Sequence, residues 1–159
     1  MGADRQEILA ALASSSSLGP IPADARRAMS YAMRRLFLES GELLFRQGDA
    51  GEEAYLVVSG EIEILGAVGD GEHVVATLGA GELFGELALF AIGKRTASVR
   101  ARRDATLAAI DYDRFRAIIA TWPDAAMALL RVQTARFVTL GEAHRRLLAE
   151  RTKPTPDEA

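Results

Sequence analysis

No cysteine occurs in the chain and only two histidines do. The first absence excludes disulfides, thiolate metal sites, iron–sulfur clusters and cysteine nucleophiles. His73 and His144 stand far apart without ligand-spaced partners, so surface or packing roles are expected of them and no metal site. Long apolar runs are lacking too. Nothing approaches the roughly 18 apolar residues of a membrane span, and Met1-Gly2-Ala3-Asp4-Arg5 has no apolar core of a secretory signal. A cytoplasmic protein that does not enter a membrane by itself is the expectation. Positive charge is not in surplus: 19 Lys and Arg stand against 22 Asp and Glu, a net charge of -3. That balance argues against a broad electrostatic footprint for nucleic acid or anionic lipid. An anion bound by this chain has to be recognised locally.

What the chain does have is apolar residues in short, punctuated runs. Its 159 residues suffice for one domain with a hydrophobic core. Residues 4–13 carry a short helical pattern, but Ser14-Ser15-Ser16-Ser17, Gly19-Pro20 and Pro22 interrupt it, so residues 1–22 are expected to be a leader and linker. The serine run has no base partner and is not a nucleophile. From Ala23, apolar residues at Ala25, Ala28, Met29, Ala32 and Met33 recur at helical spacing, with Asp24 in the first turn. Met29, Met33 and, further on, Met127 are expected as core filler.

The period then changes. Arg35–Leu38, Leu43–Phe45, Tyr55–Val58, Glu61–Leu65 and His73–Leu78 are short apolar or alternating runs separated by glycines. Ser98–Arg100 and Thr106–Ile110 continue the series. Strands this close together indicate an antiparallel barrel or sandwich rather than a parallel sheet with crossover helices. Ser59-Gly60-Glu61 and Val68-Gly69-Asp70-Gly71 both read as hairpin turns. Asp111 or Asp113 is placed to cap a helix to about Thr121, and Pro123 opens a last helix to about Glu150. Residues 151–159, with two prolines and alternating charge, are expected to be disordered. The expected fold is α+β and mainly β: an antiparallel β-roll or jelly roll with an N-terminal helix, a short phosphate-binding helix and two C-terminal helices, the domain proper being residues 23–150.

Chemistry concentrates between Phe84 and Ala101. Phe84-Gly85-Glu86-Leu87-Ala88-Leu89-Phe90 offers a glycine followed by a helix-forming turn, whose free backbone N–H groups suit a phosphate. Arg95 lies nine positions after Glu86 and supplies a fork for two phosphate oxygens; Thr96 and Ser98 add hydroxyls. A carboxylate beside an anion site would repel it unless it faced another group, and accepting a hydrogen bond from a sugar hydroxyl gives Glu86 that use. An ion pair between Glu86 and Arg95 is the plainer alternative, contributing about 0–1 kcal/mol at a surface.

Phe-Gly-Glu-Leu-Ala-Leu, the variable piece ending in Arg95 and Thr-Ala-Ser-Val-Arg-Ala resemble the phosphate-binding cassette of cyclic-nucleotide-binding domains. That family includes kinase regulatory subunits, cyclic-nucleotide-gated channels and bacterial catabolite activator proteins. Gly41-Glu-Leu-Leu-Phe-Arg-Gln-Gly-Asp49 and Tyr55-Leu-Val-Val-Ser-Gly-Glu61 extend the resemblance upstream, so that it covers about residues 22–148. It implies that Glu86 accepts the ribose 2′-hydroxyl and that Arg95, helped by Thr96 and Ala97, pairs with the exocyclic phosphate oxygens. Phe84, Gly85, Leu87 and Ala88 would complete the ligand shell. Lys94 departs from the proline that many members carry before the arginine.

The function implied is a non-enzymatic regulatory module that binds cyclic AMP, or cyclic GMP, without further cofactor or metal, and moves its C-terminal helices toward an effector protein or domain that the residues leave open. Arg136 and Leu140, with Phe137, are assigned to the purine by spacing from Pro123 and by resemblance to the channels. The spaced series Leu130, Gln133, Phe137, Leu140, His144, Leu147 also suits a homodimer seam, although Gly141 costs about 1 kcal/mol in a helix interior. A catabolite-activator regulator would add a recognition helix, for which the polar stretch after Leu148 has no room, so no DNA binding by the chain itself is expected. A cupin-like oxygenase needs a ligand cluster that two isolated histidines do not supply. A ligand-free interaction module, or a fragment of such a transcription regulator, remains the alternative.

Overall fold

The structure is a computed structural model that describes residues 2–90 and 93–151, without the side chains of residues 3, 68, 132, 136, 137, 140, 150 and 151. Two helices come first, α1 (Gly2–Ser14) and α2 (Ala23–Ala32). Among the described residues ten strands follow: β1 (Arg34–Leu38), β2 (Leu43–Phe45), β3 (Ala50–Gly51), β4 (Glu53–Ser59), β5 (Ile62–Val68), β6 (Gly71–Leu78), β7 (Leu83–Phe84), β8 (Gly93–Lys94), β9 (Ser98–Ala101) and β10 (Ala105–Asp111). A single 3-10 turn, Glu86–Leu89, sits between β7 and β8, and α3 (Tyr112–Thr121) and α4 (Pro123–Arg151) are the last of the described elements. Every strand pair is antiparallel. One sheet runs β1-β10-β4-β7, the other β2-β9-β5-β6, and β3 pairs with β8 as a separate ribbon.

The first sheet is covered on both faces, which is why β4 and β10 read as continuous apolar runs. Ala54 and Leu56 of β4 and Ala108 and Ile110 of β10 point to the helices, where they meet Met29, Phe115 and Leu129. Their alternates Tyr55, Val57, Leu107 and Ala109 point to the second sheet and meet Ile62, Val99 and Ala101. The far edge strand β6 is exposed along most of its length, including Val74 and Val75.

Three expectations change. The segment read as leader contributes Ile8, Leu12, Leu18 and Ile21 to the helix-side core. Two of its four serines, Ser15 and Ser17, are buried while Ser14 and Ser16 are exposed, and Arg26 holds the turn by donating Nη1 to the carbonyls of Gly19 and Ile21. Alternating small and apolar residues at such a turn resemble coil because the partner surface is remote in sequence. Ser59-Gly60-Glu61 is not a hairpin, since β4 pairs with β10 and β7 whereas β5 pairs with β6 and β9. The turn carries the chain from one sheet to the other. Val68-Gly69-Asp70-Gly71 does join a paired hairpin, with Val68 opposite Gly71. Met127 is 49% exposed on α4, unlike Met29 and Met33. The tail beyond Arg151 lies outside the described residues.

Asp111 settles the choice of cap, its carboxylate accepting from the Arg114 N–H at 2.8 Å. Leu12, fully enclosed, tests the place of α1 in the fold. Leu12→Ala should lower the unfolding free energy by about 2–5 kcal/mol in denaturant titration. An unchanged midpoint would mean that α1 does not fold with the roll.

Candidate functional site

The chain narrows at β7, leaves the sheet through Gly85 and makes the 3-10 turn. Gly85 has φ +69°, and a Cβ there would stand 2.9 Å from Arg95 Nη1 and 3.2 Å from the Glu53 carbonyl oxygen. Glycine is required on both counts. The short helix expected here is a single 3-10 turn, closed by the Ala88 N–H donating to the Gly85 carbonyl at 3.2 Å. Phe84 is buried with its ring stacked on Tyr55, centroids 5.2 Å apart.

Arg95 returns the chain toward β9, and its backbone is fastened to the turn between β2 and β3. Its N–H donates to the Asp49 carbonyl at 2.7 Å, and its carbonyl accepts from Gly48 at 2.8 Å. Asp49 itself is shaped by accepting from the Arg46 N–H at 2.9 Å, and Ser98 Oγ accepts from Gln47 at 2.9 Å. The turn at Gly48 and Asp49 before β3 therefore holds the arginine, a task that its sequence alone does not announce.

These elements enclose a pocket of about 420 Å³, within the size range of small-molecule sites. Phe84, Gly85, Glu86, Leu87, Ala88, Arg95, Thr96 and Ala97 all line it, whereas Ser98, expected to add a hydroxyl, does not and accepts from Gln47 instead. Phe45, Gly51, Ile64, Phe90, Gly93, Lys94 and Val99 also line it and were not anticipated as ligand neighbours. Residues of the second sheet enter through register with β9, Ile64 opposite Val99, a pairing invisible before the topology is known. Arg136 and Leu140 fall on α4, but their side chains, like that of Phe137, lie outside those described.

The charges are arranged unusually. Arg95 is 9% exposed, forms no ion pair among the described residues, and its Nε has no hydrogen-bond partner. The alternative ion pair with Glu86 is absent among those residues. Glu53, near Tyr55, is engaged by Arg34 Nη2 at 3.1 Å and by the Tyr55 hydroxyl, which donates to Oε2 at 3.1 Å. Burial, followed by the Glu53 carboxylate, pushes Tyr55 up to about 12 from its ordinary 10.0, against the opposing pull of Arg95.

Residues 35–121, more than half of the chain, match the family described as the cyclic nucleotide-binding domain, and the chain belongs to that family. It is 38% identical over 120 residues to the cyclic AMP receptor protein of Thermus thermophilus, which spans 75% of this chain and 55% of that protein. The N-terminal domain of a transcriptional regulator from Streptomyces coelicolor superposes with a TM-score of 0.74 at 29% identity, covering 84% of this chain and 96% of that one. The regulatory domain of Toxoplasma gondii PKA, solved with cAMP, gives 0.69 at 30% identity, covering 74% and 45%. No helix among the described residues is long and apolar enough to cross a membrane.

A raised phenol pKa favours the neutral form in the folded chain. The stability it contributes is complete below pH 10 and is lost as pH rises toward about 12. Phenolate absorbance should show a step near pH 12 in the folded protein that Tyr55→Phe removes, and that variant should lose less stability over this window. A Tyr55 step near the ordinary value would contradict the buried placement of the hydroxyl.

Proposed function

We propose that the chain is a cyclic-nucleotide-sensing regulatory module whose ligand is cyclic AMP, with cyclic GMP the second candidate. One observation carries this reading: a buried guanidinium lines an open pocket and forms no ion pair with a carboxylate among the described residues. The stacked Phe45 ring contributes only about 0.5–2 kcal/mol, less than the several kcal/mol that desolvating an ion costs. An anion entering the pocket offsets the remainder. Glu86, half-buried in the same wall, is suited to a sugar hydroxyl once the phosphate faces Arg95. The name of the Thermus relative and the ligand of the Toxoplasma structure support cyclic AMP.

The ligand would act through the 3-10 turn. Leu89 of that turn is buried in the helix-side core, and Phe90 sets its ring edge-on to Phe115 of α3 at 6.0 Å. α4 is anchored by Ala125 and Leu129, beyond which Leu130, Val138, Leu147 and Leu148 stay exposed. The exposed apolar side chains of Leu130, Val138 and Leu147 are placed to close over the base together with Arg136 and Leu140, or to meet a second copy of the chain. The output is read by an effector protein or attached domain. A second reading, in which these residues are the sensing half of a longer transcription regulator, is supported by the relative of which the chain spans 55%.

Calorimetric titration tests the site. Arg95→Ala should weaken cyclic AMP binding by about 3 kcal/mol, roughly a hundredfold. Glu86→Gln should weaken cyclic AMP more than its 2′-deoxy analogue, which has no hydroxyl to lose. An Arg95→Ala protein that binds like the parent would remove the phosphate assignment; equal losses for both ligands would remove the ribose role of Glu86.

A further inference from the structure

The guanidinium of Arg95 is aimed by groups that lie outside the cassette. Its central carbon sits 4.1 Å from the centroid of the Phe45 ring and 5.5 Å from that of Tyr55. Gly51 also abuts the side chain: a Cβ there would stand 2.5 Å from Arg95 Nε, 2.7 Å from Cζ and 2.8 Å from Cδ. All three nearest atoms belong to this one side chain. Gly51 has no left-handed φ that would demand glycine, and it is an ordinary paired strand residue opposite Gly93. The backbone at this position admits other residues, and it is the arginine that does not.

We propose that Gly51 and Phe45 are positioning residues that fix the direction of the Arg95 guanidinium, the aromatic face holding it and the missing Cβ leaving it room. The inference rests on the reading of Arg95 as the anion ligand. No ion pair among the described residues competes to orient the group, so the slot alone decides where its N–H donors point. Pre-set donors lose less side-chain freedom when the ligand arrives, which raises affinity without a new contact. A Cβ at 51 would press on the end of a flexible side chain, not on backbone. The substituted chain should therefore fold while its arginine is displaced.

The full chain is compared as parent, Gly51→Ala, Phe45→Leu, Phe45→Tyr, Arg95→Ala and the two combinations of Arg95→Ala with Gly51→Ala and with Phe45→Leu. Without ligand, the Nε–H resonance that disappears in Arg95→Ala should be displaced by ring current in the parent and in Phe45→Tyr. It should move to an ordinary arginine position in Phe45→Leu and shift in Gly51→Ala. With cyclic AMP, Gly51→Ala and Phe45→Leu should each weaken binding by about tenfold, ~1.4 kcal/mol, while Phe45→Tyr restores it. Melting temperatures should stay within about 4 °C of the parent. Added to Arg95→Ala, neither substitution should cause further loss, because residues acting through one group are not additive. Parent-like affinity in both Gly51→Ala and Phe45→Leu, or losses that add in full to that of Arg95→Ala, overturns the proposal while leaving the site intact. If Gly51→Ala fails to fold, the Phe45 pair decides alone. Binding that does not depend on Arg95 overturns the site itself, and the positioning role with it.

Discussion

Shutting a guanidinium away from water costs several kcal/mol unless charge or hydrogen bonds offset it, and within this chain Arg95 obtains chiefly an aromatic face. The surrounding structure is arranged to keep it there. Its backbone is tied to the β2–β3 turn, Phe45 closes one side, and Gly51 and Gly85 leave the space that any Cβ would fill. Tyr55 reinforces the arrangement from β4, its ring between Phe84 and Phe45 and its hydroxyl turned to Glu53. Glu53 is engaged by Arg34 and Tyr55, and among the described residues neither Arg95 nor Lys94 of the pocket wall has a counter-charge in an ion pair.

That placement follows from the two-sided first sheet. Because β4 is packed by helices on one face and by the second sheet on the other, its odd and even residues report to different layers. Tyr55 belongs to the pocket side and Leu56 to the helix side, one residue apart. The 3-10 turn bridges the same layers, with Glu86 and Leu87 at the pocket and Leu89 in the helical core. The pocket is thus joined to α3 by a short packed route through Leu89 and Phe90.

Much of this could be read before the coordinates were known. The cassette from Phe84 to Ala97 was legible because its chemistry is local: a glycine, a carboxylate and an arginine close in the chain must share a neighbourhood. The strand runs of β4, β9 and β10 were legible from length and apolar content, and Asp111 and Pro123 from helix-end chemistry. Pairing was not. Ser59-Gly60-Glu61 has the composition of a hairpin turn, yet which sheet receives β5 depends on partners tens of residues away. α1 was underestimated for the same reason, since Leu12 and Leu18 acquire meaning only against β4 and α2. Gly51 looked like one more turn glycine, and its neighbour Arg95 lies 44 positions further on. Met127 kept helical spacing but lies on a stretch of α4 that the roll does not cover.

The central claim is that the pocket is built for a compact anion joined to a nucleoside, and the parent chain tests it without any substitution. Calorimetry with cyclic AMP and with adenosine, side by side at moderate salt, separates the phosphate from the rest of the ligand. The account predicts one-to-one binding of cyclic AMP, and adenosine weaker by about 2–3 kcal/mol, the contribution of hydrogen bonds to a charged group. Equal affinity for the two, or no heat with cyclic AMP at high micromolar concentration, would contradict it.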